Sequence, residues 1–221
     1  MPAERDAVRQ AWDAVSEAYA ANRRADGPDA DFIDELVADL PAEATVLDVG
    51  CGDGKRTLSN LVGEANAVGL DFSREGLELA RVNVPGARLI QADMTSIPLQ
   101  EGTVEAITAY HSVFHVPRAE HPVVYREFER VLRPGGVLLM TIGTSRHEGT
   151  RSNWLDSGHS MFWSTPGRAE TYAQLRDAGF GIRTERTVDD PLGSEATSSS
   201  PRRTLDYGNE NRGPTDRSDD R

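Results

Sequence analysis

The stretch Thr45-Val46-Leu47-Asp48-Val49-Gly50-Cys51-Gly52-Asp53-Gly54 decides the fold. Its apolar run at 46–49 is too short for a helix and reads as a buried strand. The run ends in glycines at alternate positions, Gly50, Gly52 and Gly54, and a helix is expected to follow over about residues 55–63. Glycine tolerates positive φ and lets backbone approach a ligand closely, while the start of a helix offers unpaired N–H groups. Outward from this loop the pattern repeats. Strands are expected at 65–70, 87–91, 104–110 and 137–142, with helices at 73–82 and 123–132 between them. Strand and helix in alternation predict an α/β fold, a Rossmann-like, doubly wound and mostly parallel sheet with helices on both faces. Asp71 ends the second strand, 17 residues after Gly54, where a carboxylate can accept both hydroxyls of a ribose. These residues by themselves leave two readings, a nicotinamide-linked oxidoreductase and a methyltransferase.

Before the loop, Val8, Trp12, Val15 and Tyr19 recur at spacings of four, three and four, one apolar stripe on a helix of about residues 4–22. Asp26-Gly27-Pro28-Asp29 breaks it, and Phe32, Ile33, Leu36, Val37 and Leu40 mark a second helix that Pro41 ends. After the strand at 137–142 comes a polar stretch at 143–160. Ser164-Thr165-Pro166 has the layout of a helix start, Gly179 that of a helix end, and 180–188 reads as a further strand. Beyond Asp189 apolar residues nearly vanish, which predicts a disordered polar tail. The organisation expected is an N-terminal helical lid at 1–40, a cofactor-binding domain at 41–188 and a tail at 189–221. Ser198-Ser199-Ser200-Pro201 lacks the apolar face of a strand, so the final antiparallel strand of such a sheet is expected to be missing.

Asp and Glu outnumber Lys and Arg 36 to 24, for a net charge of −12, and Lys55 is the only lysine. An acidic surface opposes a phosphate backbone, so nucleic acid is not an expected partner. The same bias fits a salt-rich cytoplasm, which makes the chain a candidate halophilic protein. No apolar run reaches membrane-spanning length, and the first residues lack the layout of a signal peptide; a cytoplasmic protein is expected. The single cysteine, Cys51, reads as a small loop residue. His121, His147 and His159 have no acidic or cysteine neighbours at ligand spacing, so no metal is expected.

Four blocks in order carry a resemblance: Val46 to Gly54, Val68-Gly69-Leu70-Asp71-Phe72-Ser73, Gln91-Ala92-Asp93-Met94-Thr95-Ser96-Ile97-Pro98-Leu99, and Val131-Leu132-Arg133-Pro134-Gly135-Gly136-Val137. Over roughly residues 10–188 the chain resembles the class I S-adenosylmethionine-dependent methyltransferases, in particular the small-molecule group labelled type 11. The first block is Asp-x-Gly-x-Gly-x-Gly, tighter than the dehydrogenase spacing, and dehydrogenases have no usual counterpart of Arg133-Pro134-Gly135-Gly136. The resemblance implies S-adenosyl-L-methionine as cofactor. Asp48 and the Gly50 carbonyl would face the methionine ammonium, with Gly52 in the same loop. Asp71 would hold the ribose, and Asp93 and Met94 the adenine, with Phe72 and Tyr110 completing the set. In this family the first helix lids the cofactor, Tyr19 would line the transfer site, and Arg23 or Arg24 would meet the carboxylate. From the residues alone, Asp93 reads equally as a turn or cap, and Trp12 and Tyr19 as packing.

Methyl transfer requires an aligned nucleophile and, for a weakly acidic one, a base. The strand at 104–110 runs into His111 and His115, and chemistry in open α/β sheets sits at such strand ends. His111 is the first candidate base and His115 the second; each reads alternatively as packing. The aromatic residues between Trp154 and Trp163 suggest a cap over an apolar or planar small-molecule acceptor, or simply the core of an insertion. The chain lacks an Asn-Pro-Pro-Tyr motif, which disfavours methylation of base or amide nitrogens. A protein that binds the cofactor without transferring its methyl group is the remaining alternative.

Overall fold

β1 (Thr45–Val49) lies in the middle of the sheet, and every residue from Val46 to Val49 is buried. The computed structural model of the chain describes residues 2–23, 29–188 and 202–209. After β1 come α3 (Leu58–Leu61), β2 (Asn66–Asp71), α4 (Arg74–Asn83), β3 (Arg88–Gln91), β4 (Val104–Ala109), α5 (His121–Val131) and β5 (Leu132–Ile142). Two helices precede them, α1 (Pro2–Asn22) and α2 (Asp29–Ala38). With β8 (Phe180–Val188) and β9 (Arg202–Asn209) the sheet order is β3-β2-β1-β4-β5-β9-β8, and the ladders from β3 through β5 are parallel. Such strands need apolar residues on both faces, and Leu47, Val49, Leu70, Ile107, Leu138 and Met140 fill one side while Val46, Ala67, Ala106 and Leu139 fill the other. The order reverses between β1 and β4, and a crevice opens there beyond the carboxyl ends of the strands.

α1 and α2 part company. Ile33 and Leu36 of α2 join the sheet core, whereas Val8, Ala11 and Val15 of α1 pack on Trp154 and Met161. Those two belong to a small second sheet, the antiparallel pair β6 (Arg146–Arg151) and β7 (Met161–Pro166), with Trp154 on a 3-10 turn between them. The expected helix start at Ser164-Thr165-Pro166 is corrected: these residues end β7, paired as Arg146 with Pro166, and α6 (Arg168–Asp177) begins after Gly167. Hairpin pairing to Pro166 holds the chain extended, and Gly167 at φ +88° makes the bend into the helix.

The expectation of a missing final strand is also corrected. β9 (Arg202–Asn209) pairs antiparallel with β5 on one side and with β8 (Phe180–Val188) on the other. The strand starts a few residues beyond the serines, where Thr204, Leu205 and Tyr207 suit extended backbone. Main-chain hydrogen bonds to both neighbours give a strand so placed what the polar sequence does not advertise. That part of the expected tail is therefore sheet; 189–201 and 210–221 lie outside the described residues. Arg133-Pro134-Gly135-Gly136 makes its turn as a bulge within β5: Val104 pairs with Leu132 and Ala106 with Val137, so four residues loop out, with Gly135 at φ +79°.

Candidate active site

Backbone hydrogen bonds fasten the glycine loop to β2. Gly50 N and Cys51 N both donate to the Leu70 carbonyl, at 2.7 and 3.2 Å. Gly50 has φ +76°, and a Cβ there would run into the Ser112 side chain, so the first glycine lets the turn after β4 close over the loop. Gly52 differs. Its φ is +53°, yet a Cβ would meet nothing within 4 Å, because this glycine faces open space. That space is a cleft of about 1020 Å³, open mouth included, lined on one side by Gly50 to Asp53 and on the other by Tyr110, His111 and Ser112.

Asp71 stands at the end of β2 with both oxygens engaged: Gly52 N donates to Oδ2 and Ser73 N to Oδ1, each at 2.8 Å. Burial still pushes its pKa up to about 6, against those backbone donors. Asp48 lies next to the loop but not on the cleft wall. Thr108, its register partner on β4, donates a hydroxyl to Oδ1 at 2.8 Å, while the buried Oδ2 has no partner. Burial raises the pKa of Asp48 to about 7. A buried carboxylate with an orphan oxygen invites a cation or a donor.

α1 roofs the cleft and is fastened by three polar contacts. Arg5 Nη1 donates to Asp93 Oδ2 at 2.9 Å and also reaches Thr95, with Glu120 3.4 Å from its Nε. Asp13 Oδ1 accepts from the Ser73 hydroxyl at 2.8 Å and from Arg74 N at 2.9 Å, capping α4 from another helix. Arg23, just past the end of α1, forms a buried ion pair with Asp53 in the glycine loop, leaving Arg23 Nη1 and Asp53 Oδ2 without partners. Of residues 1–40, Arg5, Trp12, Ser16, Tyr19 and Arg23 line the cleft, all from α1 or its end.

At the far side the 3-10 turn Val113–His115 follows β4. His111 has φ 52°, a left-handed conformation uncommon outside glycine, where the chain bends over the loop. The His115 ring sits among Trp12, Phe114 and Trp163, and its Nδ1 lies 2.9 Å from the Phe162 carbonyl of β7. A carbonyl only accepts, so Nδ1 carries a proton.

The structure brings most of the residues singled out from sequence to this one cleft. Tyr19, Gly50, Gly52, Asp71, Phe72, Asp93, Met94, Tyr110, His111 and His115 line it, while Asp48 sits behind the wall. Asp93 arrives already engaged by Arg5 and Thr95, so an adenine amino group would share it. Arg5, Asp13 and Asp53 escaped the sequence reading. Arg5 and Asp13 carry no motif, only a place on the polar face of an amphipathic helix. Burial pushes the Cys51 thiol well up, opposite to what a nucleophile needs. Among the described residues no three His, Cys, Asp or Glu side chains group closely enough to hold a metal ion.

The fold is that of solved S-adenosylmethionine-dependent methyltransferases. Residues 47–140, the stretch that carries the glycine loop and the parallel strands, match the family described as methyltransferase domain. Trans-aconitate 2-methyltransferase of Variovorax paradoxus is 34% identical over 129 residues, 58% of this chain and 49% of that protein. A tRNA (carboxymethyluridine(34)-5-O)-methyltransferase of Macaca fascicularis is 29% identical over 149 residues, 66% of this chain and 21% of that one. The chain thus spans half or less of the length of these relatives. The fold is shared with the Burkholderia thailandensis 1,6-didemethyltoxoflavin-N1-methyltransferase, solved with 1,6-didemethyltoxoflavin and S-adenosylhomocysteine: TM-score 0.68 at 17% identity, covering 92% of this chain and 88% of that one. The residues of the cleft fit S-adenosyl-L-methionine, the cofactor that the sequence resemblance implies. Gly52 leaves room at the loop, Asp48 and Asp53 each hold an orphan buried oxygen for a positive group, and Arg23 holds a spare N–H for a carboxylate.

Proposed function

We propose that the chain transfers the methyl group of S-adenosylmethionine to an oxygen of a small acceptor with a planar or apolar body. The reading rests on one observation. A single cleft joins the glycine loop, Asp71 and Asp93 to two histidines, His111 and His115, and a carbonyl of β7 orients the His115 ring. In this reading Asp48 and Arg23 balance the two charges of the methionine end, Asp71 accepts the ribose hydroxyls, and Asp93, Met94 and Phe72 bound the adenine. Tyr19 and Tyr110 flank the reacting end. When bound, S-adenosylmethionine supplies an electrophilic methyl group on sulfur. The protein must then exclude water, align the acceptor and accept its proton where it has one to lose. His115 takes the proton on Nε2 while the Phe162 carbonyl holds Nδ1–H; His111 is the second candidate. An acceptor already anionic, as the name trans-aconitate 2-methyltransferase implies for that relative, needs no base, and His115 then only orients it.

Trp12 and Tyr19 line the cleft as its apolar acceptor side, and Trp154 and Trp163 back them, the rings meeting edge-on or tilted with centroids 5.0–5.8 Å apart. α1 serves as the lid, so the lid proper is narrower than residues 1–40. The net charge of −12 favours a small molecule over tRNA and suits a salt-rich cytoplasm. No helix among the described residues is long and apolar enough to cross a membrane. The test is release of S-adenosylhomocysteine over a panel of unsaturated polycarboxylates, fatty acids, phenols and tRNA transcripts. Turnover of an oxygen acid or phenol supports the reading. Turnover of tRNA alone replaces it, and tight S-adenosylmethionine binding with no turnover points to a binding protein.

A further inference from the structure

The turn that carries His115 is held from two sides. On one, His115 Nδ1 donates to β7. On the other, Val116, which closes the turn and lines the cleft, offers its carbonyl to His121 Nε2 at 2.9 Å. His121 opens α5, and Tyr125 lies one helical turn later with its hydroxyl 3.4 Å from His121 Nδ1. Thr171 of α6 lines the same small cavity as His121 and Tyr125. All three side chains are buried, at 2%, 1% and 2% exposure.

The direction of the chain is fixed by its end. The Val116 carbonyl accepts only, so His121 Nε2 carries the proton and Nδ1 accepts from the Tyr125 hydroxyl. Burial lowers the His121 pKa to about 4, so the ring stays neutral with a single proton. Apolar residues of the same shape would hold α5 on α6 about as well, because a buried hydrogen bond returns little beyond the cost of desolvating its partners. What the polar chain adds is direction, since each member is satisfied in one arrangement only.

We infer that His121 and Tyr125 form a positioning relay that sets the Val113–His115 turn, and through it His115, at the transfer end of the cleft. The inference rests on the proposed role of His115. Tyr125→Phe keeps the ring volume and removes the link to His121; His121→Phe removes the link to Val116; His121→Gln restores an N–H donor there. In the relay, Tyr125→Phe and His121→Phe lower kcat about tenfold, with KM and the Kd for S-adenosylhomocysteine each within about twofold, and His121→Gln regains most of the loss.

Ring-nitrogen NMR of His115 in the S-adenosylhomocysteine complex reads positioning without any acceptor. The wild type shows one Nδ1–H tautomer, and the two Phe variants show tautomer averaging. A His115 signature unchanged in both Phe variants overturns the relay, whatever the activity. So does a loss of kcat that only tracks lost stability and cofactor affinity. If the wild type turns over no acceptor, the proposed activity fails on its own, and the NMR comparison still decides the relay.

Discussion

Asp48 makes cofactor binding depend on pH in a way that can be worked through. Its carboxyl is raised to about 7 by burial, and Asp71 to about 6 for the same reason. If the bound state needs both ionised, affinity falls as pH drops through these values and is full only above them. At pH 6 roughly a tenth of Asp48 and about half of Asp71 are ionised; at pH 7.5 the fractions are about three quarters and nearly all. Loss of the α-ammonium proton, with a pKa of about 7.7–8.0, takes back about a third of that gain at pH 7.5. The net expectation is about tenfold tighter binding of S-adenosylmethionine at pH 7.5 than at pH 6, about 1.4 kcal/mol. Binding at pH 6.5 should also release close to a proton, read by calorimetry in two buffers of different ionisation enthalpy. In Asp48→Asn the tenfold ratio should shrink to less than about twofold, with weaker binding at pH 7.5. A wild type whose affinity does not change between these pH values, or an Asn variant that keeps the full ratio, would refute the reasoning.

Gly52→Ala should fold with a cost of about 1 kcal/mol for its left-handed backbone, a Tm loss of about 2–4 °C. Its methyl group meets no protein atom, so the damage falls on the cofactor, with Kd rising more than about tenfold by titration calorimetry. Arg23→Met strands Asp53 in a buried site and should cost about 3 kcal/mol, or about 6–12 °C in Tm. The double variant with Asp53→Leu should recover most of this in thermal melts, and failure to recover would mean that Arg23 acts through other contacts. Asp13→Ala removes a helix cap of about 1 kcal/mol, which should speed amide exchange in α1 about fivefold if α1 opens as a unit. Exchange that accelerates only in α4 would deny Asp13 its part in holding the lid.

The parallel core was legible because the physics there is local. A central strand in a doubly covered sheet must be largely apolar, as 46–49 and 106–109 are apart from the hydrogen-bonded pair Asp48 and Thr108, and a loop that approaches a ligand must spend glycines. Asp71 was readable for a related reason, since a strand end fixes where its side chain stands. Of the antiparallel edge, β8 was legible over 180–188 and β9 was not. β9 holds its place through backbone pairs such as Val137 with Gly208 and Met140 with Leu205, which leave no mark on composition. β7 misled for the opposite reason. Ser164-Thr165-Pro166 has every feature of a helix start, but its pairing with β6 outweighs local preference, and the helix waits for Gly167.

The site was legible by element and illegible between elements. Asp48, Gly50 and Gly52 could be named because they stand together in one short stretch of sequence. Arg5 on Asp93, Asp13 on the head of α4 and Arg23 on Asp53 join residues 88, 61 and 30 positions apart, and nothing in either partner announces the other. The same limit governs the choice of base. Sequence placed His111 and His115 at one strand end and could rank them only by order. What separates them is a carbonyl on β7, 47 residues away, that fixes the proton on His115 Nδ1. A histidine's competence as a base depends on what its other nitrogen touches, and that partner comes from the fold. The glycine loop can therefore be read from ten residues, whereas the acceptor side, built where α1, β7 and the turn after β4 converge, becomes readable only once those three elements are packed together.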